Sequence, residues 1–276
     1  LLTPSWTFVL EEPSLKTNAM TNNRPATPFL NHLSQQQTAR VAGWLYLTLI
    51  ICGVFYLVYI PSKLIVWENA ATTVENIRNA EQLFRWGVVS GIVSFLAFLL
   101  MSLALFKLLR HINTALAWLL LVFVLVSIPL TFSHMLHHFS VLSLISQPGY
   151  LQKWDAVRLQ EEVMIHLESF NHGVLLSNVF WGLWLFPFGL LVFQSGFLPK
   201  ILGILLVLGG GSYLVDFVGR FLFPSYSNSI LLTLMGVPAT LGEFGICLWL
   251  IILGTKPLTF GRKRATLTPQ ENPLQY

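Results

Sequence analysis

His134, His137 and His138 close one apolar run of this chain, and Glu161, Glu162, His166, Glu168, Asn171 and His172 open the next. His134 and His138 are four residues apart, as are Glu162 with His166 and Glu168 with His172, so on helices each pair stands one turn apart on a common face. Imidazole and carboxylate at that spacing can share a proton or ligate a metal. The metal or haem candidates are His134, His138, Glu162, His166 and His172. Zinc takes four ligands, or three and a water, and the compact H-E-x-x-H arrangement is absent. The same residues therefore also read as headgroup-level anchors and a solvated acidic face.

Glu243 is the most telling single residue. It sits inside an uncharged run, where a charge at a helix centre costs about 3 kcal/mol on insertion scales. A dozen flanking apolar residues offset that cost, so the span survives, but the carboxylate is expected to face a protein interior or a wet cavity. Its alternative role is a hydrogen bond to a neighbouring helix. Asp216, one turn from Arg220, reads as an interfacial ion pair or as a second acidic ligand group. Trp181 and Trp184, in a run with Phe180, Phe186 and Phe188, lie well inside an apolar segment and either line a lipophilic pocket or pack between helices. Glu243, Trp181, Trp184 and Asp216 form the expected ligand-binding set.

These residues must be carried by membrane helices. The 276 residues are 54% hydrophobic and 10% charged, far below the roughly 25% charged content of globular domains. Six apolar stretches, nearly free of charged residues, each reach the roughly 20 residues needed to cross a bilayer. They run about 41–60, 86–106, 115–139, 173–199, 199–219 and 229–254, with Pro129 and Pro238 as expected kinks. The fold class is an all-α integral membrane bundle of about six transmembrane helices, and the lipid bilayer is its first partner. The expected organisation is a flexible tail over 1–39, a transmembrane domain over 40–255 and a basic tail over 256–276. Residues 1–19 are expected to be an extension upstream of a start at Met20. Thr72 with Glu75 resembles a capping box, which predicts a short surface helix between the first two spans. The apolar spacing from Asp155 onward predicts a fourth helix that projects beyond the membrane before entering it. Gly87 with Gly91, and Gly209 to Gly211, predict close helix packing.

Assigned to span ends, ten of the lysines and arginines fall on the side of the termini and six on the other. The positive-inside rule then places both termini in the cytoplasm of a multi-pass cell-membrane protein. The basic residues form no stripe, which excludes nucleic acid as a partner. Cys52 and Cys247 lie in apolar runs and read as packing residues.

Arg40, Val41, Ala42 and Gly43 with Tyr46 and Leu47 open the membrane region. The run Phe180 to Gly189 continues through Ser195, Gly196, Phe197, Leu198, Pro199 and Ile201 to Gly203, and Gly242, Glu243, Leu248 and Trp249 follow in the last span. On these stretches the chain from Arg40 to Gly254 resembles a bacterial membrane family known as the domain of unknown function four-three-eight-six. The resemblance implies a multi-span helical fold and no activity, and the histidine triplet is not part of it.

Nucleotide-binding loops, the G-x-S-x-G elbow and Cys-x-x-Cys are all absent, so nucleotide hydrolysis, dinucleotide redox chemistry and serine hydrolysis lack support. Three functions remain. The first is a non-enzymatic protein that binds a lipophilic or cationic small molecule, or an accessory subunit of a homo- or hetero-oligomer. The second is a metal- or haem-dependent membrane enzyme built on the histidines. The third is a secondary transporter using Glu243.

Overall fold

The computed structural model of the chain describes residues 33–146, 149, 154–223 and 230–255. The expected start at Met20, most of the N-terminal tail and the basic tail over 256–276 lie outside them. Seven helices are described: α1 (Gln35–Leu64), α2 (Ala70–Asn79), α3 (Glu81–Leu109), α4 (Thr114–Ile145), α5 (Ala156–Gln194), α6 (Lys200–Leu222) and α7 (Ile230–Ile252). Five of them, α1, α3, α4, α5 and α6, are long and apolar enough to cross a membrane, and α7 contributes the shorter apolar stretch Gly236–Ile252. The all-helical, multi-span fold is as the apolar runs predict.

Helix ends differ from the apolar runs because caps, not hydrophobicity, set them. Helix α1 begins at Gln35, ahead of its apolar run, since Ser34 and Gln37 form a reciprocal capping box. The surface helix α2 exists, but its cap is Asn69, which accepts from the Thr72 amide, so the expected Thr72–Glu75 box does not form. Glu81 and Arg85 pair at 2.6 Å in the first turns of α3, ahead of the apolar run. Asp155 caps α5 by accepting from the Arg158 amide at 2.7 Å. That helix is 39 residues long, which carries its acidic start beyond a hydrocarbon core of about 30 Å. It is interrupted once, at Trp184, between Ala156–Leu183 and Leu185–Gln194. Helix α4 continues through Pro129.

The six crossing helices pack in chain order, α1 on α3, α3 on α4, α4 on α5, α5 on α6 and α6 on α7, and α7 returns to α1 to close a ring. The Gln36 amide donates to the Leu253 carbonyl at 3.0 Å, and its oxygen accepts from the Thr255 amide at 2.9 Å, so α1 starts where α7 ends. Lys107 reaches the Leu33 carbonyl on the same side, here called the Gln36 face. The opposite side, the Leu64 face, carries α2 against the start of α5. Six crossings satisfy that arrangement.

The interior is two stacked clusters. One, toward the Gln36 face, gathers Tyr46, Met101, Leu105, Trp184, Phe188 and Leu250. The other gathers Tyr56, Phe84, Met135, Leu167 and Phe170, and Trp181 packs against both. Glycines permit the closest approaches. A Cβ at Gly189 would stand 2.6 Å from the Gly203 carbonyl oxygen and one at Gly182 would stand 2.8 Å from that of Gly210, so α5 and α6 touch backbone to backbone. Gly87 faces Ile60 and Gly91 faces Tyr56, as their spacing predicts, whereas Gly211 faces open space.

Candidate functional site

Glu243 lies about halfway along α7, and the ring brings two tyrosines to it. The Tyr46 hydroxyl of α1 donates to Oε2 at 3.0 Å, and the Tyr213 hydroxyl of α6 donates to Oε1 at 3.2 Å. Tyr46 is held at 0% exposure between Trp184 and the α1–α7 contact. The close seat of α7 on α1 depends on Gly43, where a Cβ would stand 2.8 Å from Ile251. No lysine or arginine pairs with Glu243 among the described residues. The carboxylate is thus oriented by two neutral donors and retains acceptor capacity for a proton or a cation.

Beside it is a cavity of about 200 Å³ at the centre of the ring. Its walls come from five helices: Gly53 of α1, Ser94, Phe95 and Phe98 of α3, Trp181 and Trp184 of α5, Tyr213 of α6 and Glu243 of α7. Trp181 stacks on Phe95 at 6.0 Å, Trp184 meets Phe98 edge-on at 5.1 Å, and Trp184 stacks on Phe188 at 5.2 Å. The buried Trp181 indole N–H finds no acceptor among the described residues. Val54, half exposed on the lipid side of α1, belongs to the lining and connects the cavity to the bundle surface. An apolar, aromatic chamber with one carboxylate is the form of a small-molecule site.

Asp216 stands apart from this chamber. Its Oδ1 accepts from Arg220 Nε at 2.8 Å, and its Oδ2 accepts from Asn178 Nδ2 at 3.3 Å. The ion pair is the one the spacing predicts. It lines a second cavity of about 280 Å³ with Ser212, Tyr213 and Thr240.

The histidines are divided rather than gathered. His134 and His138 point inward, each 5% exposed, and both rings pack against Phe170. His134 Nε2 meets the Ser177 hydroxyl at 3.2 Å, and His138 Nδ1 shares a 2.9 Å hydrogen bond with the Tyr56 hydroxyl. His166 instead pairs with His137, Nδ1 to Nδ1 at 3.0 Å, an arrangement in which one ring supplies the proton and the other accepts it. Glu162 lies one turn before His166, and His172 is exposed beside Arg220 in a third cavity of about 410 Å³. Among the described residues no three His, Cys, Asp or Glu side chains form a group that could hold a metal. The five expected ligands are thus not brought to one point, because positions 134 and 138 share a helix face that position 137 does not.

Tyr46, Tyr213, Tyr56 and His137 are the residues that spacing missed. Tyr56 opens a five-residue π-helical segment, Phe55–Tyr59, inside α1. Such wide turns recur at functional sites, but no sequence signal announces this one. The cysteines are free, and the Cys247 thiol donates to the Gly43 carbonyl at 3.6 Å.

These features define a multi-span helical membrane protein with a carboxylate-bearing central chamber. Residues 41–254 match the model of the family described as Domain of unknown function (DUF4386), and the chain belongs to that family. A 90-residue stretch, 33% of this chain, is 34% identical to an uncharacterized protein of Archaeoglobus fulgidus and covers 51% of that protein. The chain therefore spans about half the length of the curated relative it matches. That relative is archaeal, so the expected restriction to bacteria is not supported. No solved structure matches the chain.

Proposed function

We propose that this protein binds a small lipophilic cation in the central chamber, with Glu243 as counter-charge and Phe95, Phe98, Trp181 and Trp184 as the apolar and π-face surround. The observation that carries this reading is the pairing of Glu243 with two tyrosine hydroxyls and no basic side chain, against an aromatic cavity. A carboxylate in that setting attracts a positive group, and aromatic faces add a cation–π contribution of about 0.5–2 kcal/mol. In this reading the Gln36 face is cytoplasmic, following the excess of lysine and arginine on the side of the termini.

Titration calorimetry of the detergent-solubilised protein with phenethylamine, against its neutral analogue phenethyl alcohol, tests the assignment. Glu243→Gln is expected to weaken the amine by about tenfold or more, the effect of about 1.4 kcal/mol, and to leave the alcohol unchanged. Equal binding of the amine by wild type and Glu243→Gln would remove Glu243 from the site.

A further inference from the structure

We propose that a one-sided polar half-channel joins the Leu64 face to Glu243 and carries protons to and from its carboxylate, with the Tyr213 hydroxyl as the last relay. The inference deepens the reading of Glu243 as a functional carboxylate and rests on it.

Three cavities stand in series, and neighbouring ones share a wall residue. The outermost, about 410 Å³, is lined by Asn171, His172, Asn178 and Arg220. Arg220 also lines the second, about 280 Å³, with Asp216, Ser212 and Thr240. Tyr213 lines that second cavity and the central chamber alike, and its hydroxyl already donates to Glu243. The sequence of α6 makes this row continuous. Ser212, Asp216 and Arg220 follow one another at four-residue steps, a polar stripe that runs from the Leu64 end of the helix to mid-membrane. Asn178 of α5 and Thr240 of α7 flank it, and Thr240 is exposed. The Arg220 side chain is 41% exposed at the Leu64 end of α6. The two outer cavities, with several polar groups each, have the size and polarity to hold water.

The other side of Glu243 is closed. Toward the Gln36 face come Leu206, Ile246, Cys247 and Leu250, each at most 1% exposed, packed with Leu105 and Leu185. Protons are the species committed to, because a tyrosine hydroxyl is the shared wall. A hydronium ion in the cavity gives a proton to Tyr213 Oη and becomes water, while the former Tyr213 hydroxyl proton passes to Glu243 Oε1. One O–H bond forms and one breaks on the tyrosine, which stays neutral, and the carboxyl gains one proton.

The two tyrosines provide the test, since both donate to the same carboxylate and only Tyr213 lies on the route. The full chain with Cys52→Ala and Cys247→Ala is placed in sealed vesicles. Thr240→Cys is expected to react with a membrane-impermeant quaternary-ammonium thiosulfonate from the Leu64 side and to be inert from the other. Infrared spectroscopy then follows the rise of the carboxyl band that Glu243→Gln abolishes, after an acid step applied to one side. The band is expected to rise promptly only from the Leu64 side and about tenfold more slowly in Tyr213→Phe than in Tyr46→Phe. Labelled Thr240→Cys, which keeps Tyr213, is expected to slow it as well. Reaction of Thr240→Cys from the Gln36 side, an equal rise from either side, or equal slowing by both tyrosine variants would overturn the half-channel. Loss of phenethylamine binding with these results intact would overturn only the ligand reading.

Discussion

At the residue scale, Glu243 was visible in the sequence because a carboxylate in an apolar run must be accounted for by its surroundings. Its tyrosine partners were not, since a tyrosine on a membrane helix reads the same whether it faces a headgroup or an interior acceptor. The donors matter to stability as well as chemistry. Hydrogen bonds to charged groups contribute about 1.5–3 kcal/mol, and Tyr46, fully buried, has no water to replace it. Tyr46→Phe is therefore expected to lower thermal stability in detergent, whereas Glu243→Gln, which keeps an acceptor for one hydroxyl, should lower it less. Measurement of the unfolding midpoint of both variants checks the order. The same reasoning applies to the histidines. Their spacing showed which could share a face, but the partners Tyr56, Ser177 and His166 come from other helices.

At the element scale, the wide turn Phe55–Tyr59 and the glycines of α3 act together. Tyr56 lies over Gly91, where a Cβ would stand 2.7 Å from its ring, and bonds His138 across the bundle. Alanine is the better helix former by about 1 kcal/mol, yet here overpacking costs about 1–3 kcal/mol. Gly91→Ala is expected to destabilise the protein, and to become neutral or stabilising when Tyr56→Ala removes the ring. A double-mutant cycle on the unfolding midpoint measures that reversal; additive effects would show that Tyr56 and Gly91 do not meet. Spacing alone marked Gly87 and Gly91 as a packing face but could not name what fills it. The capping residue of α2 was misread for a related reason. Asn69 and Thr72 are both competent caps, and the choice depends on where the chain leaves Leu64 and bonds Val66 to Thr73.

At the scale of the whole molecule, the apolar surface faces outward. Large apolar side chains of α1 and α4, Trp44, Ile51, Trp118 and Leu125 among them, are exposed on the outside of the bundle, the surface a bilayer covers. The two faces are distinguishable by labelling. Single cysteines at Ser34 and Thr255 are expected to react from the same side of the membrane, and one at Asn79 from the other. A common side for all three would break the six-crossing ring. In the proposed orientation the first side is the cytoplasm, and moving several lysines to the α2 connection is expected to weaken that bias.

What the sequence by itself determined is the solvent. Six apolar runs with few charges can be stable only in a bilayer, and a carboxylate deep within one of them, Glu243, is expected to face inward, because transfer energies depend on residue type and length. Which groups meet was decided by the tertiary structure. The closure of α7 on α1 brings Tyr46 to Glu243, the glycine contacts of α5 and α6 bring Tyr213 beside it, and the face angle between 134 and 137 parts the histidines. Those outcomes depend on rotation about each helix axis and on interhelical distance. Helix rotation is weakly encoded where lipid and protein interior are equally apolar, so hydrophobic periodicity has little contrast to report.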